Sequence, residues 1–149
     1  MKLKVTMLAL VATLGLAACD RVDPNSPLGK RTAIFEQMMQ TSEDMGGMLR
    51  GRLKFDGEAF AQGAVRLDEL SRQPWQYFPK VKDDERTSAR DEVWERQERF
   101  QSLARELEQA TARLVEVSRA KPLTPEQVAP AMQQVEDACE ACHQEFRVY

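Results

Sequence analysis

Cys139-Glu140-Ala141-Cys142-His143, close to the C-terminus, is the one Cys-x-x-Cys-His in the chain, and it holds the only histidine. Two thiols separated by two residues can add to the two vinyl groups of one porphyrin, and the imidazole that follows is then held under the iron. The pattern reads as a haem c attachment site, with Cys139 and Cys142 as the thioether sulfurs and His143 as the axial iron ligand. Two rival chemistries use the same residue types. A structural zinc site wants four protein ligands, and this chain of 149 residues offers one histidine and three cysteines, one of which has another claim on it. A thioredoxin-type dithiol belongs in a βαβ setting, which the flanking sequence lacks. A single histidine also excludes ligation of one iron by two imidazoles.

The other claim on the third cysteine lies at the N-terminus. Met1-Lys2-Leu3-Lys4 is a short basic start, and Val5 to Ala18 is an apolar run too short to span a bilayer comfortably. Residues 1–18 are therefore expected to be a secretory signal, outside the fold. The run ends in Leu16-Ala17-Ala18-Cys19, which resembles the bacterial lipobox, where the cysteine becomes the lipidated first residue of the mature protein. The alternative is an ordinary cleavage site beside a stray cysteine. Export agrees with haem c, which bacteria attach outside the cytoplasm. The expected location is the periplasm, anchored to a membrane through Cys19, and Asp20 resembles the signal that retains lipoproteins in the inner membrane. Residues 19–29, with Pro24 and Pro27, read as a tether, and 30–149 as one domain. Losing Lys2 and Lys4 leaves 19 basic residues against 24 acidic ones, so nothing favours nucleic acid as a partner.

The motif needs elements to position it, and these read as helices. Helical spacing recurs over about Lys30–Lys54, Gly57–Ser71 after an Asp56 cap, Ser88–Ala120, and a last stretch opened by Thr124-Pro125-Glu126-Gln127. Thr124 with Gln127 has the form of a capping box, with proline at the first helical position. In the first stretch Arg31, Phe35, Met38, Ser42, Met45 and Leu49 share a face. The third keeps one stripe through Val93, Phe100, Leu103, Leu107, Ala110, Leu114 and Val117 only if Arg96 is allowed at one step. In the last, Val128, Met132, Val135, Cys139, Cys142 and Phe146 recur at steps of four and three, which puts both motif cysteines on the inward stripe. The expected fold is all-α, an antiparallel four-helix bundle with a covalently bound haem c in its core. The link Gln73–Thr87 carries Pro74-Trp75-Gln76-Tyr77-Phe78-Pro79, aromatics expected to pack back onto the bundle, over a haem edge or as core filler.

Taken in order, Arg31-x-x-x-Phe35, Met45-Gly46-Gly47-Met48, Lys54-Phe55-Asp56, Gln73-Pro74-Trp75-x-x-Phe78-Pro79, Glu92-Val93-Trp94 and Cys139 through Arg147 resemble the cytochrome c′ family, the class II c-type cytochromes. Class I cytochromes c, by contrast, carry the motif near the N-terminus. The resemblance spans about Lys30 to Tyr149 and implies one haem on Cys139 and Cys142 with His143 as proximal ligand. It further implies Arg31 beside the propionates and Arg147 beside the proximal face; the alternatives are a solvated arginine at a helix start and a cation favoured by a helix C-terminus. Phe35 falls where cytochromes c′ place an apolar residue over the open side of the iron, whereas low-spin relatives such as cytochrome c-556 have methionine there. The resemblance thus implies a five-coordinate, high-spin iron that binds NO or CO. No general base, nucleophile pair or open metal triad accompanies the haem motif, so a binding protein and not an enzyme is expected. The second reading is a low-spin electron carrier of c-556 type with Met38 or Met39 as sixth ligand, its redox partner unknown. A homodimer through the first two helices is also implied, with Met48, Phe60 and Leu67 as its face or, equally, as monomer core.

Overall fold

Ser26 starts the first helix by accepting a hydrogen bond from the Gly29 amide at 3.0 Å, and Pro27 occupies the first turn, where a missing amide hydrogen costs nothing. In this computed structural model, which describes residues 22–82 and 86–149, the signal segment 1–18, Cys19 and Asp20 lie outside the described residues. Helix α1 covers Pro27–Leu49, α2 Gly57–Ser71, α3 Glu92–Glu95, α4 Gln97–Val117 and α5 Pro125–Phe146, with a 3-10 turn at Pro74–Tyr77. The four long helices form the bundle: α1 packs on α2, α2 on α4 and α4 on α5, and α1 closes the ring against α5. Short links join α1 to α2 and α4 to α5, so those pairs run antiparallel.

The first and third helical stretches differ from the sequence expectation, each for a physical reason. The first helix runs from Pro27 to Leu49 and not from Lys30 to Lys54. At its end Gly51 takes φ 72°, its amide bonds to Met48 O and the Arg52 amide reaches Gly47 O at 2.9 Å, a helix stop that needs a left-handed residue. At its start residues 23–26 are folded into a turn, Asn25 N on Asp23 Oδ1 at 2.8 Å and Ser26 N on Asp23 O at 3.0 Å, so the ordered fold begins before the expected boundary at Lys30. The expected helix 88–120 is broken at Arg96, which adopts φ −120° and ψ 50°. That is the step where the apolar stripe had a guanidinium. The break lets Arg96 reach Glu145 at 2.9 Å. Residues 88–90 do not join the helix; Ala89 bridges Arg147 antiparallel, and the Val148 amide donates to Ser88 O at 2.8 Å.

Helices α2 and α5 follow the expectation. Asp56 caps α2 through the amides of Glu58 and Ala59, and the Gln127 side chain accepts from the Thr124 amide at 2.9 Å at the head of α5. The main core gathers Ile34, Met38, Met45, Phe60, Leu67, Leu70, Leu107, Leu114, Val128, Met132 and Val135. Phe60 and Leu67, read as a dimer face or core, belong to that core, and Met48 packs against it. The large apolar side chains that α1 and α2 leave exposed are Met39 and Val65. Between α2 and α4 sits a buried hydroxyl pair, Ser71 Oγ and Thr111 Oγ1, 3.0 Å apart. Ser71 also reaches Asp68 O at 2.8 Å, while Thr111 reaches Asp68 Oδ1 at 2.9 Å and Glu108 O at 3.1 Å.

Candidate functional site

The last two turns of α5 carry Cys139, Cys142 and His143, all half-buried, and the two thiols are not joined to each other. The stripe that buries Val128, Met132 and Val135 continues through both cysteines to buried Phe146. Cys139 packs against the main core, and Cys142 against a second cluster made by Val93, Phe100, Leu103 and Phe146. The two sulfurs thus straddle the seam between two apolar clusters.

Aromatic rings close that end of the bundle. Phe35 meets Trp75 edge-on at 6.0 Å, Trp75 meets Phe100 at 5.8 Å, and Phe100 contacts Phe78 at 4.9 Å and Phe146 at 5.4 Å. The proline-flanked aromatics therefore do fold back onto the bundle. Arg31 is 2% exposed, so it is not a solvated helix-start arginine. Its Nη1 donates to Tyr77 O at 2.9 Å and its guanidinium lies 4.7 Å from the centre of the Phe78 ring. Trp75 Nε1 is buried with no acceptor among the described residues. Arg147 is exposed at the end of α5, its amide on His143 O at 3.1 Å and its guanidinium over the Tyr149 ring. Met38 is buried in the main core, whereas Met39 is 54% exposed and does not join it.

The electrostatics separate the rival uses of the cysteines. Burial first, then the neighbouring Cys142 and Glu136, push the Cys139 thiol up to about 11. Burial and Glu145 take Cys142 to about 11, against the opposing pull of Arg99. A dithiol redox centre needs a thiol pKa below its ordinary value, so these sulfurs are poor redox nucleophiles. Burial, and then the Arg147 charge, lower the His143 pKa, which favours the neutral imidazole that metals bind. Among the described residues no group of three or more His, Cys, Asp or Glu is placed to hold a metal ion, as a structural zinc would require. A surface groove of about 980 Å³ lies at the other end, between α2 and the α4–α5 link, away from this chemistry.

Glu145 ties the site to α4: Arg99 reaches its Oε1 at 2.7 Å and Arg96 its Oε2 at 2.9 Å. The Arg99 hydrogen bond holds the Glu145 carboxyl below its ordinary value. A depressed carboxylate stabilises the fold above its unfolded pKa and loses that contribution as pH falls through the folded one. Glu145→Gln should therefore lower Tm at pH 7, and the gap from wild type should close as the pH falls below the ordinary glutamate value of 4.5. Circular dichroism melts across pH check this; a gap independent of pH would contradict it.

Residues 26–147 match the family model for cytochrome C′. The chain belongs to the cytochrome c′ family. A relative, the cytochrome c′ of Rhodopseudomonas palustris, is 24% identical over 148 residues, covering 99% of this chain and 97% of that protein. Among solved structures, cytochrome c prime from Shewanella frigidimarina superposes with a TM-score of 0.79 at 23% identity, covering 87% of this chain and 99% of that one. A nitric oxide complex of a cytochrome c prime variant from Alcaligenes xylosoxidans gives 0.75 at 21% identity, covering 87% and 98%. Members of the family are periplasmic proteins that carry one covalently attached haem c. The residues present fit such a group: two unpaired thiols on an inward stripe, a neutral imidazole after them, and a buried indole N–H able to donate to a propionate.

Proposed function

We propose that this chain is a membrane-tethered, periplasm-facing member of the family whose iron keeps an open position for nitric oxide or carbon monoxide, and that it is not an enzyme. Cys139 and Cys142 hold the haem, His143 is the axial ligand, and Arg31 and Trp75 offer donors to the propionates. When bound, the haem supplies an iron that takes a neutral diatomic ligand. The observation that carries this reading is Phe35. It is half-buried, packs against the cluster that also receives Cys139, and stands edge-on to Trp75. A phenyl ring offers iron no donor atom and keeps water and anions away. Variants of the Alcaligenes xylosoxidans relative have been solved with nitric oxide and with carbon monoxide, which supports the same use here.

The purified protein should show a broad high-spin spectrum when reduced, and the ferrous form should bind both NO and CO. A low-spin spectrum with a weak far-red sulfur-to-iron band, and no CO complex, would reject the open site. The second reading, an electron carrier, rests on Met38, because that sulfur is buried in the core against which Cys139 packs. The low-spin result would promote it.

A further inference from the structure

The chain enters the fold at the end where the haem is attached. The turn at residues 23–26 lies against the first turn of α1, where a Cβ on Gly29 would collide with Asp23 O and Pro24. The next residues, Lys30 and Arg31, contact Tyr77 and Phe78, and Phe78 leads through Phe100 to Phe146, where Cys142 packs. Three chain steps separate Cys19 from Val22, so those two Cα atoms lie at most about 11 Å apart however the steps run. Segments tied to this end expose apolar side chains: Val81 at 77%, beside Lys82 whose ammonium pairs with Asp91 ahead of α3; Tyr149 at 86%, next to Val148 whose amide bonds to Ser88 O; and Val22, just before the turn at 23–26.

We infer that the tether docks the haem-bearing end of the bundle on the lipid surface, leaving the α1–α2 and α4–α5 links facing the periplasm. This rests on the reading of Cys19 as lipidated. An anchor within about 11 Å of Val22 leaves no chain length to turn that end outward. A tyrosine suits the headgroup level and exposed valines the acyl boundary just beneath it, and a neutral diatomic ligand dissolved in the bilayer would meet the site first.

The test places one added cysteine, Val81→Cys at the docked end or Lys121→Cys at the far end, in the full holoprotein. Each is inserted from outside into phosphatidylethanolamine–phosphatidylglycerol vesicles, and its rate of reaction with a bulky polyethylene glycol maleimide is compared with the soluble Cys19→Ser form. Val81→Cys should be slowed several-fold on vesicles and Lys121→Cys left unchanged. Inserting twenty Gly/Ser residues after Val22 should keep the protein on the vesicles and abolish the contrast. Equal slowing at both positions, slowing at Lys121→Cys alone, or a contrast that survives the insertion would overturn the orientation while the anchor stands. If the unaltered protein stays off the vesicles and its N-terminal peptide carries no acyl mass, anchor and orientation fall together.

Discussion

A Cys139→Ala, Cys142→Ala double substitution should yield protein from which all haem is removed by acid acetone, while wild type keeps its haem through a denaturing gel. The reasoning is covalent first: without either sulfur no thioether forms. Each single variant should remain haem-stained, through one thioether, with absorption bands shifted to the red by the vinyl group left conjugated. The energetic consequence is larger than the lost thiols. Cys139 and Cys142 sit where two apolar clusters meet, so the macrocycle they hold would be buried between them. Emptying a core of one aromatic side chain costs about 3–5 kcal/mol, and a porphyrin is larger. A loss on the order of 5 kcal/mol, at about 4 °C per kcal/mol, corresponds to a fall in Tm of roughly 20 °C. Haem retained covalently by the double variant would refute the attachment residues. An unchanged Tm in the haem-free variant would refute the buried placement.

The second large effect is expected at Phe35, where two substitutions should act in opposite directions. Phe35→Ala removes the ring that an incoming ligand must displace. If that displacement contributes even ~1.4 kcal/mol to the barrier, CO binding to the ferrous protein should quicken about tenfold. Phe35→Met places a thioether sulfur at the same position and should drive the spectrum towards low spin, with CO binding slowed. General loosening of the fold cannot produce both results. Because Phe35 is half-buried and braced by Trp75, the alanine variant should cost no more than the lower part of the about 3–5 kcal/mol range for emptied aromatic sites. If wild type is already low-spin and Met38→Leu makes it high-spin, Phe35 is not the residue over the iron.

Much of this site is local in sequence, which is why it could be read there. Cys139, Cys142 and His143 lie within five residues, and the step from Val135 to Cys139 to Cys142 to Phe146 fixes the face by helical geometry alone. Helix α2 was equally legible because Asp56 and a clean stripe mark its start and its course. The apolar stripe of α1 ends at Leu49, the last helical residue, and Gly51 supplies the left-handed stop, so the expected extension to Lys54 had no periodic support. At Arg96 the misfit in the stripe was visible, but its outcome depended on Glu145, 49 positions away. The same distance problem hid the Arg99–Glu145 pairing and the role of Phe100 at the centre of the aromatic contacts. For Arg31 the sequence left two environments open. The burial that decides between them comes from Tyr77 and Phe78, in a segment far along the chain.

The hydroxyl pair Ser71–Thr111 bears on how such a bundle drifts over evolutionary time. A buried hydroxyl stripped of its partner ordinarily costs about 1–3 kcal/mol, which forces contacting positions to change together. Here each hydroxyl keeps a second acceptor within its own helix, Asp68 O for Ser71 and Glu108 O for Thr111. Either position can therefore turn apolar first without stranding the other, and the intermediate sequence still folds. Polar contacts with this built-in redundancy place little constraint on a lineage. They allow the interior to be rewritten one residue at a time while the helices keep their places.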